Sequence, residues 1–165
     1  MKMKITNALT LASLVIPLSV SAGQMTIPGV ACQPIGNSSD GAIAEGSGYF
    51  GNKSSTNYLL VYCPFSLSFE TTTWVAATVE LIQPKGVTSS KVAGCNTFAY
   101  DAGSTSYRPG SNQYAKVVEG PVTVSMPRID VPANNLSSSA VAVRCNLPPT
   151  INGSRFLISR VILNW

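Results

Sequence analysis

The chain contains no histidine. That absence excludes Ser-His-Asp and Cys-His catalytic units, together with imidazole-ligated zinc, non-haem iron and blue-copper sites. Charge is scarce as well: Asp, Glu, Lys and Arg make up 11% of the residues, against about 25% in an average domain. Ser, Thr, Asn and Gly take their place, a balance that fits a secreted β-protein better than a cytosolic enzyme. No run or stripe of basic residues tracks a phosphate backbone, so the formal charge of +4 does not point to a nucleic-acid partner. Sustained helical periodicity, heptads, internal repeats and any C-x-x-C spacing are missing too.

What is present begins with an export signal. Residues 1–22 carry Lys2 and Lys4, then an apolar stretch over 8–20, then Val20-Ser21-Ala22 with small residues at the cleavage positions. Cleavage before Gly23 is expected, leaving 165 − 22 = 143 residues. A single domain over 23–165 is expected to bury roughly two-thirds of its unfolded surface without cofactor or metal. Losing Lys2 and Lys4 leaves nine basic and seven acidic residues, 9 − 7 = +2. The apolar stretch is short for a bilayer, contains Pro17 and lacks a basic stop-transfer flank, so no membrane span is expected in the mature chain. Gly29-Val30-Ala31-Cys32 departs from a lipoprotein signal, because Gly29 stands three before the cysteine where Leu is wanted. The expected location is secreted or periplasmic.

Four cysteines, Cys32, Cys63, Cys95 and Cys145, fit an oxidising compartment. Separations of 31, 32 and 50 residues make a four-thiolate zinc site a poor alternative to two disulfides. Of three connectivities, Cys32 to Cys63 and Cys95 to Cys145 is favoured. In the chain-entropy picture, loops of this length are worth roughly 4 kcal/mol each.

Short apolar or alternating segments separated by turn-rich stretches read as all-β. Strands are expected over 58–63, 74–82, 91–100, 113–118, 122–126, 140–146 and 155–164, with a turn at Gln83-Pro84-Lys85-Gly86. Residues 36–57 read as an Asn/Gly/Ser-rich loop holding one short strand at Tyr49-Phe50, and Cys32 falls in a Gly- and Pro-flanked lead-in. Seven to nine such strands predict two packed sheets, a β-sandwich of jelly-roll or immunoglobulin-like type stapled by two disulfides. A small closed barrel is the runner-up.

The early cysteine, the Gly-rich loop, the strand ending in Cys63-Pro64, the strand cysteine Cys95 and the run Val143-Arg144-Cys145-Asn146-Leu147-Pro148-Pro149 before a closing strand form an ordered set. In that order the chain resembles a family of small secreted bacterial disulfide-stapled all-β proteins. The resemblance implies an exported β-fold and carries no activity.

Two histidine-free chemistries have the residue types they need in this chain. Of the seven acids, Asp40, Glu45, Glu70, Glu80, Asp101, Glu119 and Asp130, Glu80 lies on a strand among apolar neighbours and either enters a cleft as half of a glycosidase pair or faces solvent. Ser89-Ser90-Lys91 has the residue types of a Ser–Lys dyad, but in a turn entering a strand rather than on one helical face. No catalysis is expected from either. Trp74 and Trp165 are expected to pack in the core. The Asn-x-Ser sequons at Asn37, Asn52, Asn135 and Asn152 are discounted as glycan acceptors, since the lysine-led signal reads as bacterial.

The ligand-binding candidate is residues 100–114, YDAGSTSYRPGSNQY, read as a long loop with Tyr100, Tyr107 and Tyr114 around Arg108. Aromatic rings give contact area at low entropic cost, Arg gives planar hydrogen bonding, and small polar neighbours adapt. The expected function is an exported, non-enzymatic sandwich binding a polysaccharide or protein surface at or outside the envelope through loops. The rival is a self-associating matrix or filament subunit, motivated by low charge and β-prone edges such as the terminal ILNW.

Overall fold

A computed structural model describes residues 23–35, 41–65, 74–101, 107–131 and 139–165. The expected signal over 1–22, the sequons at Asn37 and Asn135, and Asp40 and Glu70 lie outside the described residues. The strands in chain order are β1 (Gln24–Pro28), β2 (Gln33–Pro34), β3 (Ala42–Ala44), β4 (Phe50–Asn52), β5 (Leu59–Phe65) and β6 (Trp74–Gln83). They continue with β7 (Gly94–Asp101), β8 (Tyr107–Pro109), β9 (Gln113–Tyr114), β10 (Gly120–Asp130), β11 (Ser139–Leu147) and β12 (Phe156–Asn164). A short 3-10 turn spans Gly29–Ala31.

All pairings between these strands are antiparallel, and they form two six-stranded sheets rather than one closed ladder. The first runs β10-β6-β12-β4-β3, with β1 sharing the β12 edge with β4. The second runs β2-β5-β11-β7-β8, with β9 sharing the β7 edge with β8. The protein is a β-sandwich.

Period-2 patterning accounts for the core. Along β6, Val75, Ala77, Val79 and Leu81 are buried while Trp74, Ala76, Thr78, Glu80 and Ile82 are half-exposed. They meet Leu59, Val61, Cys63 and Phe65 of β5 and Val141, Val143, Cys145 and Leu147 of β11 in one apolar cluster. On β12 the period breaks: Ile158 and Val161 both point inward although three residues apart. A register shift opposite Leu81 and Glu80 inserts one residue, a β-bulge that re-phases the strand and sets Arg160 outside, across from Glu80.

Turn chemistry follows the sequence. Gly86 at φ 82° closes the turn expected at 83–86. Ile151-Asn152-Gly153-Ser154 is a bridged hairpin with φ 51° at Asn152 and 78° at Gly153, the geometry that an Asn-Gly pair supplies.

Both favoured disulfides are present, Cys32–Cys63 and Cys95–Cys145, and no cysteine is free. Cys95 and Cys145 stand directly opposite each other on β7 and β11. Cys32 precedes β2, whose Gln33 pairs with Tyr62 beside Cys63.

Several expectations are corrected. Residues 24–28 form a strand because β12 has an open edge for them, and ILNW therefore lies inside the first sheet rather than at its rim. Residues 113–118 hold only the two-residue β9: β7 begins at Gly94, so the ladder ends with Ala115 N–H donating to Ala93 O. Beyond it, Gln83 Nε2 donates to the carbonyls of Lys116 (2.6 Å) and Val118 (3.0 Å) and holds the irregular chain against the sandwich. Trp74 is half-buried on the outer face of the first sheet, with the Arg128 guanidinium 4.8 Å from its ring centre, not in the core. Trp165 is half-buried against the core, and its backbone extends the β1–β12 ladder to Gly23.

Candidate ligand-binding cleft

The inward-facing disulfide between β7 and β11 dictates what faces outward beside it. Cys95 and Cys145 are buried in adjacent positions, so the residues on either side of each, Gly94, Asn96, Arg144 and Asn146, point to the outer face of the second sheet. Antiparallel register arranges them in rows. One row reads Leu60, Asn146, Gly94, Tyr114 across four strands, and the next reads Tyr62, Arg144, Asn96.

Over this patch lies a cleft of about 910 Å³. Its floor is Leu60, Gly94, Asn96, Arg144 and Asn146; one wall is Tyr58 with Ser89, Ser90 and Val92, and the other is Asn112, Tyr114, Ala115 and Val117. Each wall is tied down. The Tyr58 hydroxyl donates to the Ser90 carbonyl (3.1 Å), and the turn that carries Ser90 is closed by the Thr88–Lys91 bridge. The opposite wall hangs on the two Gln83 bonds, and Gln83 Oε1 is left buried without a partner.

Tyr114 is the most prominent feature of the site. It is 68% exposed, and Tyr58 is 46% exposed. A β-carbon at Gly94 would stand 2.9 Å from the Tyr114 ring atoms Cδ1 and Cε1. Gly94 is not in the left-handed region, so what it supplies is room: the ring lies on the bare backbone opposite it, as an aromatic does over a strand glycine. Arg144 is held as well, its guanidinium 4.4 Å from the centre of the Phe98 ring. Among the described residues no carboxylate lies within ion-pair distance of Arg144.

Chemically the lining offers, among the described residues, two tyrosine rings, three asparagines, two serines and one guanidinium, with no carboxylate. That is equipment for stacking and hydrogen bonding rather than for moving protons. Ser90 Oγ shares a hydrogen bond with Thr88 Oγ1 (3.1 Å), and Lys91 is exposed, so the Ser89-Ser90-Lys91 segment is the turn expected of it. Glu80 is on the outer face of the other sheet, in a two-pronged ion pair with Arg160 (Oε2 to Nε 2.6 Å, Nη2 to Oε1 2.7 Å). The hydrogen bond and then the charge of Glu80 raise the pKa of Arg160 above its ordinary value.

The structure separates the expected loop residues. Residues 107–109 form β8, which runs back along β7 with Tyr107 opposite Tyr100, so residues 100–114 are not one long loop. Tyr114 pairs with Gly94, six residues away on β7 and roughly 20 Å along the strand. Tyr114 thus belongs to the cleft, whereas Tyr100, Tyr107 and the exposed Arg108 lie toward the other end of β7. Residues 102–106 and the side chains of Tyr100 and Tyr107 lie outside the described residues. Tyr58, Asn96, Arg144 and Asn146 are not among the binding candidates expected from the sequence. For Asn96, Arg144 and Asn146 the signal is the favoured Cys95–Cys145 pair, which, once placed on neighbouring strands, sends its flanking residues outward together; Tyr58 has no such signal.

No family model matches the chain, and no curated protein is similar enough in sequence to count as a relative. Among solved structures the chain is similar to the CBM36-1 domain of a multidomain xylanase from the hindgut metagenome of Trinervitermes trinervoides, at 8% identity and TM-score 0.48 over 87% of this chain and 97% of that one. It is similar to a xylan-binding module, CBM15, at 12% identity and TM-score 0.46 over 86% and 97%. It is also similar to a family two carbohydrate esterase from Cellvibrio japonicus, at 11% identity and TM-score 0.45 over 87% of this chain but 34% of that one, so it spans about a third of the esterase chain. Likenesses of this size decide nothing about the cleft, whose chemistry is read from its own residues.

Proposed function

We propose that the protein is an exported, non-enzymatic β-sandwich that binds a polysaccharide outside the cytoplasm in the cleft on the outer face of its second sheet. The observation that carries this reading is the exposed Tyr114 ring laid on Gly94 across a polar floor from Tyr58. Sugar rings present apolar C–H faces and a rim of hydroxyls, and exposed tyrosines with asparagines between them complement both. Two intramolecular disulfides fit an oxidising compartment.

Affinity electrophoresis of the mature protein through gels containing single polysaccharides tests it. The parent is expected to be retarded by at least one, and Tyr114→Ala to lose about 2 kcal/mol of binding, as for an aromatic anchor. Its melting point should hold, because the side chain is largely exposed. Gly94→Ala should act similarly by lifting the ring off its seat. Tyr107→Ala with Arg108→Ala should leave retardation unchanged; if this pair alone abolishes it, the β7–β8 hairpin is the site instead. Absence of retardation on every polysaccharide overturns the reading.

A further inference from the structure

We propose that the cleft selects an acidic polysaccharide, one bearing uronic-acid carboxylates, and that Arg144 is the residue that reads the carboxylate. The inference rests on the polysaccharide reading and adds the substrate class.

Arg128, Arg155 and Arg160 are each matched to an acid, respectively Asp130, Glu45 and Glu80. Arg144 differs from them. It sits in the floor of a cleft, and among the described residues no acid lines that cleft and no carboxylate answers it. Its strand neighbours in the row are Tyr62 on one side and Asn96 on the other. The Phe98 ring, its centre 4.4 Å from Arg144 Cζ, holds the guanidinium without consuming its hydrogen-bonding fork, because a ring face offers the N–H donors no lone pair and leaves them for another partner. A planar fork held in place is matched to a planar carboxylate, which it binds through two parallel hydrogen bonds. Asn146, exposed in the same floor, supplies an amide suited to a hydroxyl flanking the carboxylate, and Asn96, opposite Arg144 on β7, is buried in that floor. A neutral glycan would leave the cation without a counter-charge in a half-enclosed cleft; an acidic one supplies it.

The test compares the mature parent, Arg144→Gln and Arg144→Lys on polygalacturonate, the same polymer with its carboxyls reduced, a neutral β-glucan and dextran sulfate, by affinity electrophoresis or calorimetry, with melting recorded for each variant. The expected result is parent binding to polygalacturonate about tenfold tighter than to the carboxyl-reduced polymer. Arg144→Gln should erase that difference while keeping the residual binding that Tyr114 provides. Arg144→Lys, a point charge without the fork, should restore little of it. Equal binding of acidic and reduced polymers, or an unchanged preference in a folded Arg144→Gln, overturns the proposal while leaving the polysaccharide reading intact. Dextran sulfate binding as tightly as polygalacturonate overturns it in favour of unselective charge attraction. If the parent binds none of the four, the polysaccharide reading fails with it.

Discussion

Asn52 shows how one polar side chain joins the two sheets. It is fully buried at the end of β4, and its Nδ2 donates to the carbonyls of Asn57 (2.9 Å), Leu147 (3.0 Å) and Pro148 (2.9 Å) while Oδ1 accepts from Ser54 N–H (2.9 Å). The last residue of a first-sheet strand is thereby fastened to the end of β11 in the second. A residue so enclosed is a structural fastener rather than a glycan acceptor, although Asn52-Lys53-Ser54 has the form of a sequon. Removing it strands two buried carbonyls, of Leu147 and Pro148, each costing roughly 1–3 kcal/mol with partial relaxation, and frees the part-buried Asn57 carbonyl and Ser54 N–H. Asn52→Ala is therefore expected to destabilise the fold by about 2–4 kcal/mol in urea denaturation with little change in m-value. A loss below about 0.5 kcal/mol, the range of ordinary surface positions, would show that the network is not needed.

At the scale of elements, β7 carries the greatest burden. It pairs with β11 on one side and with both β8 and β9 on the other, it holds Cys95, and it contributes Gly94 and Asn96 to the cleft floor. The second sheet also contains the strand positions of both disulfides. With separations of 31 and 50 residues, each closes a loop whose entropy is worth about 4 kcal/mol in the unfolded chain. Removing the second bridge as Cys95→Ala with Cys145→Ala is expected to lower stability by about that amount. Polysaccharide retention should weaken along with it, because the rows on the outer face depend on β7 staying in register with β11. Loss of stability with full retention in the surviving folded fraction would show that backbone hydrogen bonding alone keeps the floor aligned.

For the whole molecule the question is whether copies pair through their sheet edges. The outer strands β1, β2, β3, β8 and β9 are two to five residues long, and short edges offer little to a partner. The long edge, β10, contains Pro121 and Pro127, a register shift between Met126 and Ile129, and the charged Arg128 and Asp130. Proline, irregularity and charge are the devices that blunt an exposed edge. With ILNW enclosed by β1 and β6, the filament rival loses one of the edges that motivated it and keeps the low charge. Sedimentation velocity on the mature protein is expected to give one species whose coefficient does not change with concentration. Growth of polymers with concentration would reinstate assembly as the function.

How much of this was legible depended on the range of the interaction responsible. The all-β class, the sandwich and the central strands could be read because alternation along one segment is a local property, and burying one face of each strand leaves few architectures. The disulfide pairing was readable as a preference, and the structure bears it out. The absence of histidine had already removed the familiar hydrolase and metal chemistries from consideration. What the tertiary structure decided were features that exist only in pairing. QMTIP and YRP become strands because β12 and β7 have edges to receive them, whereas the expected strand over 113–118 stops where β7, which begins at Gly94, has no further residue to pair with it. The candidate site moved for the same reason: adjacency in sequence grouped Tyr107 and Arg108 with Tyr114, but register sets Tyr114 beside Gly94, with Asn96 and Arg144 in the next row. A binding surface on a sheet is assembled across strands, perpendicular to the chain, and that direction is fixed by hydrogen-bond register rather than by the order of residues.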